Sequence, residues 1–336
     1  MSKNHPGPTA LHCGDVRAAV FLGDLRAIDC QSCGYCHLLP LPTEAAQEAH
    51  YERIYQASNH IHLLEQAASQ QWYWRLVFRE RMREFDRLVP PVDIRHRAIL
   101  DWGAGCGRFT DYVEKSWHGW LGWGYEPCEL GVATAQYREL LSMNHPSHWT
   151  FHGFDAVHCS LVLEHITRPV ATLREMRDVL RPGGVLCVVV PNEFNPLQNK
   201  LRDKWGYTPL SPLHVNYFTP ATLRDVVERA GFEVLRVTST FPIEALALWG
   251  GLNYVKHPHL GRIAHGLRMA FEAALLAVAP GAKRRLYEWF ARKGVGREVE
   301  LWARKLSDPV TRLADVLQDI PVEDDAWDRI IQEPYG

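Results

Sequence analysis

The 336-residue chain lacks a long apolar run, an excess of either charge and any internal repeat. No stretch reaches the roughly 18–20 apolar residues that a membrane-spanning helix needs. The opening MSKNHPGPTALHCGD has no apolar segment behind a basic one, so no secretion signal is expected and a cytoplasmic location is the default reading. Lys and Arg number 37 against 39 Asp and Glu. That balance removes the bulk positive charge of a nucleic-acid or membrane-surface binder, so neither is an expected partner. Cysteine is present, with eight residues, but the chain is too long for a small disulfide-stapled secreted module. With 46% apolar and 23% charged residues, the composition is that of a globular protein of one large domain or two to three pieces.

The patterning divides the chain. Residues 1–45 are loop-rich and hold four of the cysteines, and residues 46–90 read as a helical linker. In that linker Phe78, Met82, Phe85 and Val89 recur at helix spacing until Pro90-Pro91 stops them. Over 91–240, apolar runs at 98–102, 120–125, 156–160, 185–190 and 232–237 alternate with amphipathic stretches at 109–117, 129–141 and 169–180, and with a helix opened by Thr219-Pro220. Such alternation predicts an α/β fold with a doubly wound, mostly parallel sheet. Residues 241–295 read as a helical cap. Beyond Glu244 it carries eight Lys or Arg against Glu272 and Glu288. Residues 296–304 alternate like a strand that completes the sheet, and 305–336 form an acidic tail.

The sharpest motif lies where the first strand of the 91–240 block turns into a helix: Asp101-Trp-Gly103-Ala-Gly105-Cys-Gly107. Glycines there let the backbone approach a ligand. A dinucleotide fingerprint needs a glycine at the position of Arg108, and a phosphate loop needs Gly-Lys-Ser/Thr, so both are excluded. Asp-x-Gly-x-Gly-x-Gly resembles motif I of the class I S-adenosylmethionine (SAM) methyltransferases. Glu126, 21 positions past Gly105, has the spacing of an acid that holds ribose hydroxyls. Phe154-Asp155, Leu163-Glu164-His165, Leu180-Arg-Pro-Gly-Gly184 and His214-Val-Asn-Tyr-Phe-Thr219 continue the likeness in order over about 95–240. The resemblance implies a Rossmann-like SAM domain with Tyr55, Asp101, Gly103, Gly105, Gly107, Glu126, Pro127 and Cys159 at the cofactor. Between Leu141 and Phe154 little room remains for a third strand and its usual acidic contact to adenine.

Cys30-Gln-Ser-Cys33-Gly34 has the form of a zinc knuckle, whose glycine lets the backbone fold amides toward a thiolate. The layout resembles SAM methyltransferases of bacterial sugar and polysaccharide pathways that begin with a zinc ribbon. It implies a structural zinc on Cys13, Cys30 and Cys33. The fourth ligand is open between Cys36, His12, His37 and His5, with Cys36 first among them. Cys30, Cys33 and Cys36 also make an iron–sulfur-like spacing, but no proline-flanked fourth cysteine follows. Cys106, Cys128, Cys159 and Cys187 sit in or beside apolar runs and read as small core residues.

Methyl transfer from a sulfonium is an in-line displacement, so the enzyme aligns the acceptor and takes its proton. Histidine is the usual base for a hydroxyl near neutral pH. His165 and His214 fall beyond the carboxyl ends of strands, where substrates lie in such sheets. In sugar C-methyltransferases that this chain resembles, a His-x-x-Tyr-Phe-Ser/Thr segment supplies the base. That implies His214 as the base, with Tyr217 and His165 beside it. Leu213 stands where those enzymes often have Glu. The expected function is O-methylation of a sugar or sugar-nucleotide-type metabolite, and a cationic cap suits an anionic or phosphorylated small-molecule acceptor. C- or N-methylation of a nucleotide-linked sugar or natural-product intermediate, and a non-catalytic SAM-binding or zinc scaffold, are the alternatives.

Overall fold

The computed structural model describes residues 16–22, 25–43, 49, 70–89, 96–135, 138–149, 153–207 and 214–306. Its main sheet is built from β4 (Arg97–Trp102), β5 (Trp120–Tyr125), β6 (Leu141–Ser142), β7 (Phe154–Ser160), β8 (Leu180–Pro191), β10 (Phe232–Ser239) and β11 (Glu298–Lys305). The strand order is β10-β11-β8-β7-β4-β5-β6. The five strands from β8 to β6 are parallel, and β11 runs antiparallel between β8 and β10.

The β-branched run in β8 shows why the sheet is covered on both sides. Leu186, Val188 and Val190 enter one core and Val185, Cys187 and Val189 the other, as a period of two requires. Helices α4 (Pro169–Val179) and α6 (Pro220–Arg229) fill the first core with Leu173, Met176, Leu223 and Val226. Helices α1 (Gln71–Leu88) and α2 (Arg108–Ser116) fill the second with Phe78, Met82, Phe85, Phe109 and Val113. The described part of the expected linker is therefore a core helix. Its Phe85 ring meets Trp302 of β11 at 4.8 Å. Burial of each such side chain stabilises the fold by about 1.5–3 kcal/mol.

The stretch expected as one helix over 129–141 breaks up. Helix α3 covers only Glu129–Thr134, and a 3-10 turn at Arg138–Leu140 leads into β6. The cause is a notch cut by glycines in β5 and the loop: a Cβ on Gly124 would lie 2.1 Å from Leu141 Cδ2. Leu141 fills that space, which holds the chain against β5 as a two-residue third strand. Helices α5 (Pro196–Trp205), α7 (Glu244–Leu248), α8 (His259–Val278) and α9 (Pro280–Arg292) complete the described helices. The last three lie between β10 and β11 in the chain.

A second, antiparallel sheet joins β1 (Val16–Leu22), β2 (Leu25–Cys30), β3 (Tyr35–Leu39) and β9 (Asn216–Tyr217) in that order. The N-terminal strands thus end on the segment that follows β8. His37 pairs with Asn216 and Cys36 with Tyr217.

Candidate active site and metal-ligand group

The glycine loop leaves the carboxyl end of β4 and is stitched to the end of β5. The Gly103 and Ala104 amides donate to Tyr125 O at 2.8 and 2.9 Å. Gly103 adopts φ +75°, and a Cβ there would lie 2.3 Å from Val162 Cγ2, so both conformation and space require glycine. Glu126 accepts from the Gly105 amide at 2.7 Å and the Cys128 amide at 2.9 Å. Burial raises its carboxyl above the ordinary value, while these two amides pull the other way. Gly107 (φ +71°) caps α2, and Pro127 is exposed. Cys159 is fully buried in the core, with its thiol pushed up by burial. Its side chain packs rather than lines the loop. Tyr55 lies outside the described residues.

Asp101 is 5% exposed and belongs to a buried chain of polar groups. His158 Nδ1 meets Asp101 Oδ1 at 2.7 Å, and Arg81 Nη1 meets His158 Nε2 at 3.0 Å. Arg81 Nε then donates to Glu300 Oε2 at 3.1 Å, and Trp302 Nε1 donates to Glu300 Oε1 at 2.8 Å. A guanidinium only donates, so His158 Nε2 must accept and Nδ1 must carry the proton given to Asp101. Burial holds the imidazole below its ordinary pKa despite Asp101, consistent with a neutral ring. Phe109 stacks on that ring at 4.0 Å. Sequence reasoning reached Asp101 but none of its supports.

A second cluster forms beyond β7 and β8. His214 Nδ1 lies 2.9 Å from Glu193 Oε2, and the His165 and His214 rings are 4.9 Å apart. Burial opposes the charge on His214, but the Glu193 hydrogen bond and charge outweigh it and raise its pKa above the ordinary value. Glu164 is 2% exposed and burial pushes its carboxyl up to about 8. Its Oε1 is 3.7 Å from His165 Nε2. Glu193 was missed from the sequence: it follows β8, 21 residues before His214. Tyr217, expected beside the base, packs at 2% exposure with Ala27, Leu38 and Phe194. Its strand β9 pairs with β3, and its side chain packs on the face of that sheet that carries Cys36 and Leu38.

In the N-terminal sheet, one ligand atom each from Cys30, Cys33 and His37 lies within 4.8 Å of the others. Cys36, expected as the fourth ligand, is not in that group. Cys36 pairs with Asp29, while Tyr35 pairs with Cys30 and His37 with Ile28. Side chains alternate faces along a strand, so Cys36 points away from Cys30 and His37. His37 Nδ1 donates to Leu38 O at 2.8 Å, which leaves Nε2 as its ligand nitrogen. Cys13 lies outside the described residues. The module also grips the histidine segment: Leu38 N donates to Val215 O, and Val215 N to Glu164 O, each at 2.9 Å.

Residues 73–237 match the family model of a methyltransferase domain. Among curated relatives, a "Probable S-adenosylmethionine-dependent methyltransferase" of Mycolicibacterium smegmatis is 29% identical over 45% of this chain and 58% of its own length. A ubiquinone biosynthesis O-methyltransferase of Aeromonas salmonicida is 30% identical over 41% of this chain and 63% of its own. The chain thus spans less than two thirds of either relative. A solved SAM-dependent methyltransferase from Archaeoglobus fulgidus is 16% identical, with a TM-score of 0.44 over 71% of this chain and 98% of that one.

Proposed function

We propose that this chain, whose residues 73–237 match the model of a methyltransferase domain, is a SAM-dependent enzyme that O-methylates a polar, hydroxyl-bearing metabolite of the sugar class. The observation that carries the reading is the His214–Glu193 pair at 2.9 Å, beyond the strand ends that carry the glycine loop. Glu193 holds the Nδ1 proton and leaves Nε2 to take the acceptor's proton, the task of a general base. Asp101 faces the cofactor's ammonium and Glu126 its ribose, while the loop amides admit a ligand that has no phosphate. No Asp or Glu stands between residues 139 and 155, where the usual acidic contact to adenine was expected.

The test is a methyl-transfer assay on free hexoses and their nucleoside-diphosphate conjugates. Wild type should methylate an oxygen, and His214→Ala should lose about a hundredfold or more in kcat while still binding S-adenosylhomocysteine. Transfer to carbon or nitrogen would replace the O-methylation reading. Retained turnover in His214→Ala would remove the base.

A structural zinc fits the N-terminal group. Two thiolates from a Cys-x-x-Cys turn and an imidazole oriented by a backbone carbonyl are the donors that tetrahedral zinc takes. Cys30, Cys33 and His37 would be its ligands among the described residues.

A further inference from the structure

Helix α8 buries two charged side chains beside Ala264 and Met269 and exposes an apolar stripe. Its buried side carries Arg268 and Glu272, at 5% and 4% exposure, packed toward α1. The Arg268 guanidinium stands 5.5 Å over the Tyr73 ring, and Tyr73 donates to Glu272. The exposed side is apolar: Ile263, Leu267, Ala270, Phe271, Ala274, Ala277 and Val278. Leu267 is 52% and Val278 86% exposed. At 1.5 Å per residue that stripe runs about 22 Å along the helix. A continuous apolar face of this kind on a folded protein marks a contact surface.

The surroundings state what kind of surface it meets. The neighbouring helix α9 exposes Trp289 beside Arg284, Arg285 and Arg292, and Lys256, Arg262 and Lys293 are exposed at the hairpin's ends. Among the described residues no acidic side chain forms an ion pair with any of these six cations. The two buried cations of the cap are engaged: Lys283 pairs with Glu80 and Arg268 lies on Tyr73. Trp249 is exposed at the end of α7. Apolar residues, exposed tryptophans and unneutralised Lys and Arg are the composition of a helix lying in a membrane interface.

We propose that the α8–α9 hairpin seats this protein on an anionic phospholipid surface, with the α8 stripe entering the headgroup boundary and the six cations meeting lipid phosphates. No helix of the described residues is long and apolar enough to cross a membrane. A second copy of the chain is the poorer occupant, because a symmetric contact would bring one set of cations against the other. A nucleic acid would use the cations and leave the apolar stripe in water.

The experiment is vesicle flotation of the full chain at low salt, on phosphatidylcholine alone and with about 30% phosphatidylglycerol. Binding should be at least about tenfold stronger on the anionic vesicles and should fall as salt is raised. The double variants Ile263→Asp/Leu267→Asp and Arg284→Glu/Arg285→Glu should each lower it about tenfold, with melting temperature and S-adenosylhomocysteine binding unchanged. Absence of wild-type binding to anionic vesicles overturns the proposal. So does equal binding to anionic vesicles by the Ile263→Asp/Leu267→Asp variant. A wild-type dimer that this variant splits would give the face to a second copy instead.

Discussion

At the scale of single residues, His214, the proposed base, and Asp101, the proposed cofactor carboxylate, are each held by groups that a linear reading does not reach. His214 could be picked from its motif. Glu193 could not, because it is a loop carboxylate brought to the ring only by the path of the chain after β8. Its charge favours the imidazolium, so the acid limb of kcat/KM should lie above the ordinary histidine value of about 6.5. Glu193→Gln should move that limb to lower pH and reduce kcat, as a pH–rate profile will record. An unmoved limb would show that Glu193 does not act on the base. The chain from Glu300 through Arg81 and His158 to Asp101 links residues 77 and 219 positions apart, which no sequence spacing can reveal. His158→Asn keeps a donor where Nδ1 stands and should bind S-adenosylhomocysteine nearly as wild type. His158→Leu should weaken binding about tenfold in calorimetric titration. Equal binding by the two would leave His158 a packing residue only.

At the scale of elements, the glycine loop and the β-branched β8 were legible because each follows from local backbone needs and a period of two. The end of the 129–141 helix was not, since it is set by Leu141 entering a space left by Gly124 on another strand. Nor was the pairing of β3 with β9, which ties the cysteine-bearing module to the segment holding His214. If Cys30, Cys33 and His37 hold zinc as proposed, its removal should therefore lower kcat as well as the melting temperature. A chelator titration followed by both readouts checks this. Neither should change if no metal is held. Glu164 lies under the same segment, its carboxyl pushed up to about 8. The folded state keeps a proton that the unfolded chain gives up in the ordinary carboxylate range. Stability should accordingly fall as pH rises from about 4.5 to about 8, and thermal melts of Glu164→Gln should show a shallower fall. An identical slope would place the titration elsewhere.

At the scale of the whole molecule, composition and alternation were enough to read a mostly parallel α/β sheet, because the two-sided core needs continuous apolar strands flanked by amphipathic helices. A net charge of −2 averages over the local excess of Lys and Arg that the sequence already shows in residues 241–295, and the exposure of α8 and α9 adds that six of those eight cations face solvent beside an apolar stripe. The sheet places Asp101, the glycine loop and Glu126 at one end of β4 and β5, and the account rests on SAM occupying that end. Calorimetric titration of the full chain with S-adenosylhomocysteine tests it most directly. One-to-one binding that Asp101→Asn weakens by about tenfold or more is the expected result. Absence of binding, or equal binding by the variant, would contradict it.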